Sequence, residues 1–281
     1  AQFNFSCTDC SFENLKVHSK PTSNLGGVYL TPLNGYIRNC SLIGSSVLVS
    51  GAITKCYFGI RTVGSEGRVD IRGGNLAAVH ITDCAFESMN PSSSNTTLAI
   101  VDMFGRRVTF TNCVFLSRHT DTLSGIFLDR CDSGESVQIQ QCRFYGLGKA
   151  VEVDEEPNAG SETVIVRNCV FEDCTYGVYR NNAELGFVLV NNNYYRNMTS
   201  GFTNYSEISA WNNTALTADA FVNGPNGNLL LNSTAGGGQV VRDAGGSYDN
   251  GGTFETASEF FGTMFEEGGG AAGPVTYSYF G

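Results

Sequence analysis

The chain has 281 residues, a formal net charge of −10, a charged fraction of only 16% and 34 glycines. The acidic balance argues against nucleic acid as a partner, because phosphates demand a basic footprint. No apolar run reaches the ~18 residues needed to span a bilayer, and the glycine-rich, charge-poor composition fits a β-rich protein with many tight turns.

Taken in order, the chain repeats one short phrase. It occurs as Phe5…Cys10-Ser-Phe12, Ile37-Arg-Asn-Cys40-Ser-Leu42, Ile53-Thr-Lys-Cys56-Tyr-Phe58 and Val79-His-Ile-Thr-Asp-Cys84-Ala-Phe86. It continues as Val108-Thr-Phe-Thr-Asn-Cys113-Val-Phe115, Val137-Gln-Ile-Gln-Gln-Cys142-Arg-Phe144 and Val164-Ile-Val-Arg-Asn-Cys169-Val-Phe171, with a worn copy at Val188-Leu-Val-Asn-Asn-Asn193-Tyr-Tyr195. Most copies start 24 to 30 residues apart, with one step of 16 from Cys40 to Cys56. Such a period marks a stacked repeat.

Apolar residues five and three places before the cysteine alternate as a strand does. The cysteine and the aromatic two places after it alternate on the opposite parity, so the chain must bend just before the cysteine. Asp9, Asn39, Lys55, Asp83, Asn112, Gln141, Asn168 and Asn192 stand at that bend, and Asn and Asp tolerate the left-handed conformation better than other non-glycine residues. A further strand phrase follows in most units: Gly27-Val-Tyr-Leu30, Leu98-Ala-Ile-Val101, Gly125-Ile-Phe-Leu128, Ala150-Val-Glu-Val153 and Gly177-Val-Tyr179. Short strands with bends between them and a variable loop make the coil of a parallel β-helix.

These repeats resemble the right-handed parallel β-helix proteins of the pectin-lyase-like superfamily over roughly residues 3–205. The expected fold is therefore all-β, a right-handed β-solenoid of about eight or more coils. Residues 1–213 are assigned to it. Residues 214–281 are assigned to a polar, glycine-rich C-terminal region with a helix over 254–266 and a terminal strand over 275–280. Phe254, Ala257, Phe260, Phe261, Met264 and Phe265 supply the helical apolar face.

Cys10, Cys40, Cys56, Cys84, Cys113, Cys142 and Cys169 are expected to stack as a buried ladder of small packing residues rather than as disulfides or metal ligands. No metal site or cofactor is assigned.

Superfamily enzymes, the resemblance implies, work on the outer face of the shaft. Asp102, Asp129 and Asp154, with Asn181, close this further strand phrase in four successive coils and are expected to stack, with Arg130 nearby. Under the enzyme alternative these residues would be catalytic, in a polysaccharide lyase or hydrolase, and could hold calcium. A tailspike-like glycan binder is a further alternative. The polygalacturonase strings Asn-Thr-Asp, Gly-His-Gly and Arg-Ile-Lys are not found, and strand ends attract Asp and Asn without any catalytic role.

The leading expectation is thus a non-catalytic, secreted or cell-surface solenoid, a filament or adhesive structural subunit stacked head to tail on copies of itself, with extracellular polysaccharide as a second partner class. A chain starting at Ala1 without Met is expected to have lost a leader or to be a fragment. Phe3 and Phe5 at one end, and Val275, Tyr277, Tyr279 and Phe280 at the other, are the expected assembly residues.

Overall fold

A computed structural model describes residues 3–8, 11–18, 28–33, 35–43, 51–60, 69–73, 78–88, 97–103, 107–117, 123–130, 136–154, 162–181, 186–202 and 208–243. They form a parallel β-solenoid with three faces. The first face is a nine-stranded sheet running from Ser11–Glu13 to Ile208–Trp211. The second is also nine-stranded, from Lys16–His18 to Thr214–Ala215. The third has five strands, from Val69–Gly73 to Tyr176–Arg180, and a separate parallel pair joins Phe3–Thr8 to Val28–Leu33.

The repeat phrase builds the first two faces and the corner between them. At that corner Asn39, Lys55, Asp83, Asn112, Gln141, Asn168 and Asn192 all adopt positive φ, between 52° and 56°, which switches the inward parity between the two strands. The residue after each bend points into the shaft. Cys40, Cys56, Cys84, Cys113, Cys142 and Cys169 are completely buried and free of disulfides. Each thiol donates to the carbonyl two residues back, as Cys84 does to Thr82 O at 3.3 Å and Cys113 to Thr111 O at 3.4 Å. A small polarizable side chain with a weak donor suits a narrow corner lined by carbonyls.

Two places further on, Phe58, Phe86, Phe115, Phe144 and Phe171 form one continuous stack. Successive ring centroids lie 4.9, 4.8, 5.0 and 4.9 Å apart, the strand spacing itself, and interplanar angles are 18° or less. Each pair adds about 0.5–1.5 kcal/mol beyond the area it buries. Phe202 closes this stack edge-on, 5.2 Å from Phe171, over Gly177, where a Cβ would come within 2.4 Å of its ring.

Two sequence expectations need correction. Complete turns number about 4, not eight or more. The repeat phrase specifies only the first two faces, and counting its copies overstates the coils closed by a third strand: the third face has five described strands against nine on each of the others. Secondly, the ladder position beside Cys40 belongs to Leu15, where the phrase points to Cys10. The register sets Phe12 opposite Ile37, so the bend is Asn14, with φ 55°, and Leu15 takes the ladder position. The Ser41 N–H donates to Leu15 O at 2.8 Å, as the Tyr57 N–H does to Cys40 O at 2.9 Å. The true first phrase is Phe12-Glu-Asn-Leu15-Lys-Val17, in which leucine replaces cysteine; Asp9 and Cys10 themselves lie outside the described residues. The α-helix among the described residues is α1, Gly238–Asp243. The segments 254–266 and 275–280 lie outside the described residues.

After Ala215 the chain leaves the shaft and lies along the outside of the second face. An antiparallel hairpin, Phe221–Asn223 with Asn228–Leu231, and α1 form this strap. Leu216, Ala220, Phe221, Leu229 and Val241 pack on Leu116, Tyr145 and Val170 as a second apolar core. Gly224 sits directly on the Tyr145 ring, where a Cβ would lie 2.2 Å from Cε2.

Candidate functional site

The third-face strands place the candidate carboxylates. Val101, Leu128, Val153 and Arg180 occupy one register position, and the ladder runs on through the Asp154 N–H to Leu128 O and the Asn181 N–H to Val153 O, both 2.9 Å. Asp154 and Asn181 therefore follow each other in adjacent coils. Asp102 does not join them. A register shift after Val101 pairs Asp102 with Arg130, leaving Asp129 as the extra residue of a bulge, so the expected stack of aspartates is broken at its first step. The side chains of Asp102 and Arg130 lie outside the described residues.

The carboxylate at the centre of this face is one that sequence reasoning passed over. Glu152 is 7% exposed and points outward between Phe127 and Tyr179 of the neighbouring strands. It accepts from the Ser124 hydroxyl, from Lys149 Nζ at 2.5 Å and from Asn181 Nδ2 at 2.8 Å. Lys149 also lies 4.2 Å from the centre of the Tyr179 ring, which meets Tyr176 edge-on at 4.8 Å. The outward parity of Glu152 in Ala150-Val-Glu-Val153 was the available signal.

A second buried carboxylate, Glu172, fastens the strap. Its Oε2 accepts the Ala220 N–H at 2.9 Å and its Oε1 accepts from Arg196 at 3.3 Å, while Arg196 also pairs with Asp219. Burial raises its pKa above the usual glutamate value, with Asp173 adding to the rise and the Ala220 N–H and Arg196 opposing it. On the neighbouring strand Arg143, 3% exposed, donates to Leu229 O of the strap at 2.7 Å. On an earlier coil Glu87, 4% exposed, accepts from Tyr57 OH at 2.9 Å.

The ladder thiols alternate: although burial opposes it, hydrogen bonds from the neighbouring thiols draw Cys56 and Cys142 well below the ordinary thiol value. Burial pushes the Cys84, Cys113 and Cys169 thiols well up, and Cys174, outside the ladder, is pushed up to about 12. No group of three or more metal-ligating side chains occurs among the described residues, and no described helix is long and apolar enough to cross a membrane.

Of the expected assembly residues, Phe3 and Phe5 lie on the strand paired with Val28–Leu33, opposite Val28 and Leu30. Val275, Tyr277, Tyr279 and Phe280 lie outside the described residues. The described end of the shaft is a different surface. In the last strand of the first face Ile208 is buried, but Ser209, Ala210 and Trp211 are exposed, as are Thr214 and Ala215 in the last strand of the second.

Stacked parallel strands, a six-thiol ladder and an aromatic stack along one shaft define a β-solenoid repeat protein. Residues 34–219 match the family described as adenovirus E1B 55K protein / large T-antigen, and the chain belongs to that family. No curated protein and no solved structure matches the chain.

Proposed function

We propose that this chain is a non-catalytic β-solenoid, a structural subunit whose function lies in its surfaces and in the assemblies they form. The observation that carries this reading is the state of the outer-face carboxylates. Glu87, Glu152 and Glu172 are each buried and each held by donors from neighbouring coils or from the strap, so each serves as a fixed acceptor in the fold. A hydrolytic pair needs one carboxyl free to move a proton and another facing the scissile bond, and the bulge at Asp129 interrupts the column that would have supplied them. The family description names a viral protein and no reaction, so the reading rests on this geometry. Kinship with the pectin-lyase-like superfamily is proposed at the level of shaft architecture alone, since fold does not fix function.

The test is incubation of the purified chain with acidic and neutral polysaccharides, with and without calcium, followed by assay for new chain ends. No cleavage is expected. Cleavage that disappears in Asp129→Asn or Asp154→Asn would replace this reading with the enzymatic one.

A further inference from the structure

We propose that residues 254–266 of this chain fold back on the outer surface of the first face and cover a patch formed by Ile165, Leu189 and Trp211. The cover is internal to the chain, so it stands whether or not the shaft is catalytic.

The second face shows what apolar residues at outward positions mean in this molecule. Val114, Val170 and Tyr194 are such residues, and the strap packs on them. The first face carries the same signal. One outward column runs His80, Thr109 and Gln138, then turns apolar at Ile165 and Leu189. These two stay half-buried while Val164, Val166, Val188 and Val190, which alternate with them, are buried. In the neighbouring outward column Arg167, Asn191 and Trp211 succeed one another, and the tryptophan is 42% exposed. The face thus changes from polar to apolar over its last three strands, as a surface does where something lies on it.

The chain itself supplies the occupant. Phe254, Ala257, Phe260, Phe261, Met264 and Phe265 recur at helical spacing, and a helix over these 13 residues would be about 20 Å long. That length spans three strands set ~4.8 Å apart. Glu255, Glu259 and Glu266 of the same segment are opposite in sign to Arg167, which is exposed and donates to Gln140 Oε1, a neutral acceptor, at 2.9 and 3.3 Å. The tether starts in the right place. The strap returns to its own root, where the Thr217 N–H donates to Gly236 O at 2.9 Å, and Thr217 is six residues beyond Trp211 in the chain. From Asp243, at the end of α1, residues 244–253 give ten residues with four glycines, a reach of roughly 33 Å when extended. A segment on so short a tether is present at the patch at high effective concentration, an advantage that a second copy or an outside partner lacks.

Trp211 is the single tryptophan of the chain, so its fluorescence reads the patch directly. In the full chain its emission should be blue-shifted and shielded from acrylamide, to the same degree at every chain concentration. Phe260→Glu combined with Phe261→Glu, which leaves the described shaft untouched, should move the emission to the red and remove the shielding while the β-sheet circular dichroism signal is retained. Leu189→Lys should do the same from the shaft side; if that variant does not fold, Ile165→Lys serves instead. Emission and quenching indifferent to the segment substitutions overturn the proposal. Shielding that grows with chain concentration also overturns it, because the occupant would then be a second copy.

Discussion

Asn193 Oδ1 accepts the Cys169 backbone N–H at 2.8 Å, at the position where the thiol ladder ends. The same side chain donates to Val166 O at 3.1 Å and to Asn213 Oδ1 at 3.0 Å, and Asn213 repeats the pattern on Val190 O at 3.1 Å. Where the shaft approaches its described end, amide side chains replace buried thiols and tie adjacent coils together. Asn193→Leu should therefore destabilise the protein by about 1–3 kcal/mol, because it leaves the Cys169 N–H and the Val166 carbonyl without this partner. Urea unfolding would measure it, and a change within 0.5 kcal/mol would remove Asn193 from the load on that junction.

The ladder thiols are completely buried, both those whose pKa is pushed up, Cys84, Cys113 and Cys169, and those drawn down by neighbouring thiols, Cys56 and Cys142, so access rather than ionisation limits their reaction. Cys40, Cys56, Cys84, Cys113, Cys142 and Cys169 should react slowly with a thiol reagent in the native protein and promptly once it is denatured. Peptide mapping after timed alkylation would follow each site, and rapid native labelling of these six would contradict their placement.

Phe115 lies in the middle of the ring stack, between Phe86 and Phe144 and edge-on to Phe110. Phe115→Ala should cost about 3–5 kcal/mol, more than any single surface change, because two stacked neighbours lose a partner at once. The same denaturant titration applies.

Lys55 holds a left-handed conformation, φ 53°, that favours asparagine or glycine. Lys55→Asn should raise stability by up to about 1 kcal/mol, less whatever the neighbouring charge of Asp83 contributes. A lowered melting temperature would show that the attraction between the Lys55 and Asp83 charges outweighs the backbone.

The folded-state pKa of Glu172 is raised by burial. The folded protein therefore holds this proton to a higher pH than the unfolded chain, and stability falls as pH rises from the usual glutamate value of 4.5 through the folded value. Asp83, raised for the same reason, contributes with the same sign. Glu172→Gln keeps an acceptor for the Ala220 N–H and should flatten this part of the pH profile of strap attachment. Hydrogen exchange of the Ala220 amide against pH would show it; an unchanged profile would assign the slope to other groups.

Much of the shaft was legible because it repeats. Seven of the eight predicted bend residues turn the corner between the first two faces, since a parity switch in so many copies admits one geometry. The first coil was misread because Leu15 does the work of cysteine there and a nearby Cys10 offered a false match. The strap had a fainter signal. Val114, Val170 and Tyr194 are apolar at the outward position after the ladder residue, where Ser41 and Arg143 are polar, and they lie beneath or beside it. The phrase drew attention inward, and Leu216, Phe221, Leu229 and Val241 have no period to announce what covers the outside. The Asp102 mismatch was invisible for a simpler reason: a bulge changes which residues pair without changing which residues are present.

The corner between the first and second faces always spans two residues, as in Asn39-Cys40, Asp83-Cys84 and Asn212-Asn213. The connections into and out of the third face have no such constancy: three residues separate Tyr145 from Lys149, but eight separate Ser88 from Thr97. Length variation is thus collected on one side of the molecule. New segments can be inserted there without shifting a single interior column, so descendants of this chain can diversify what they present while inheriting the same spine.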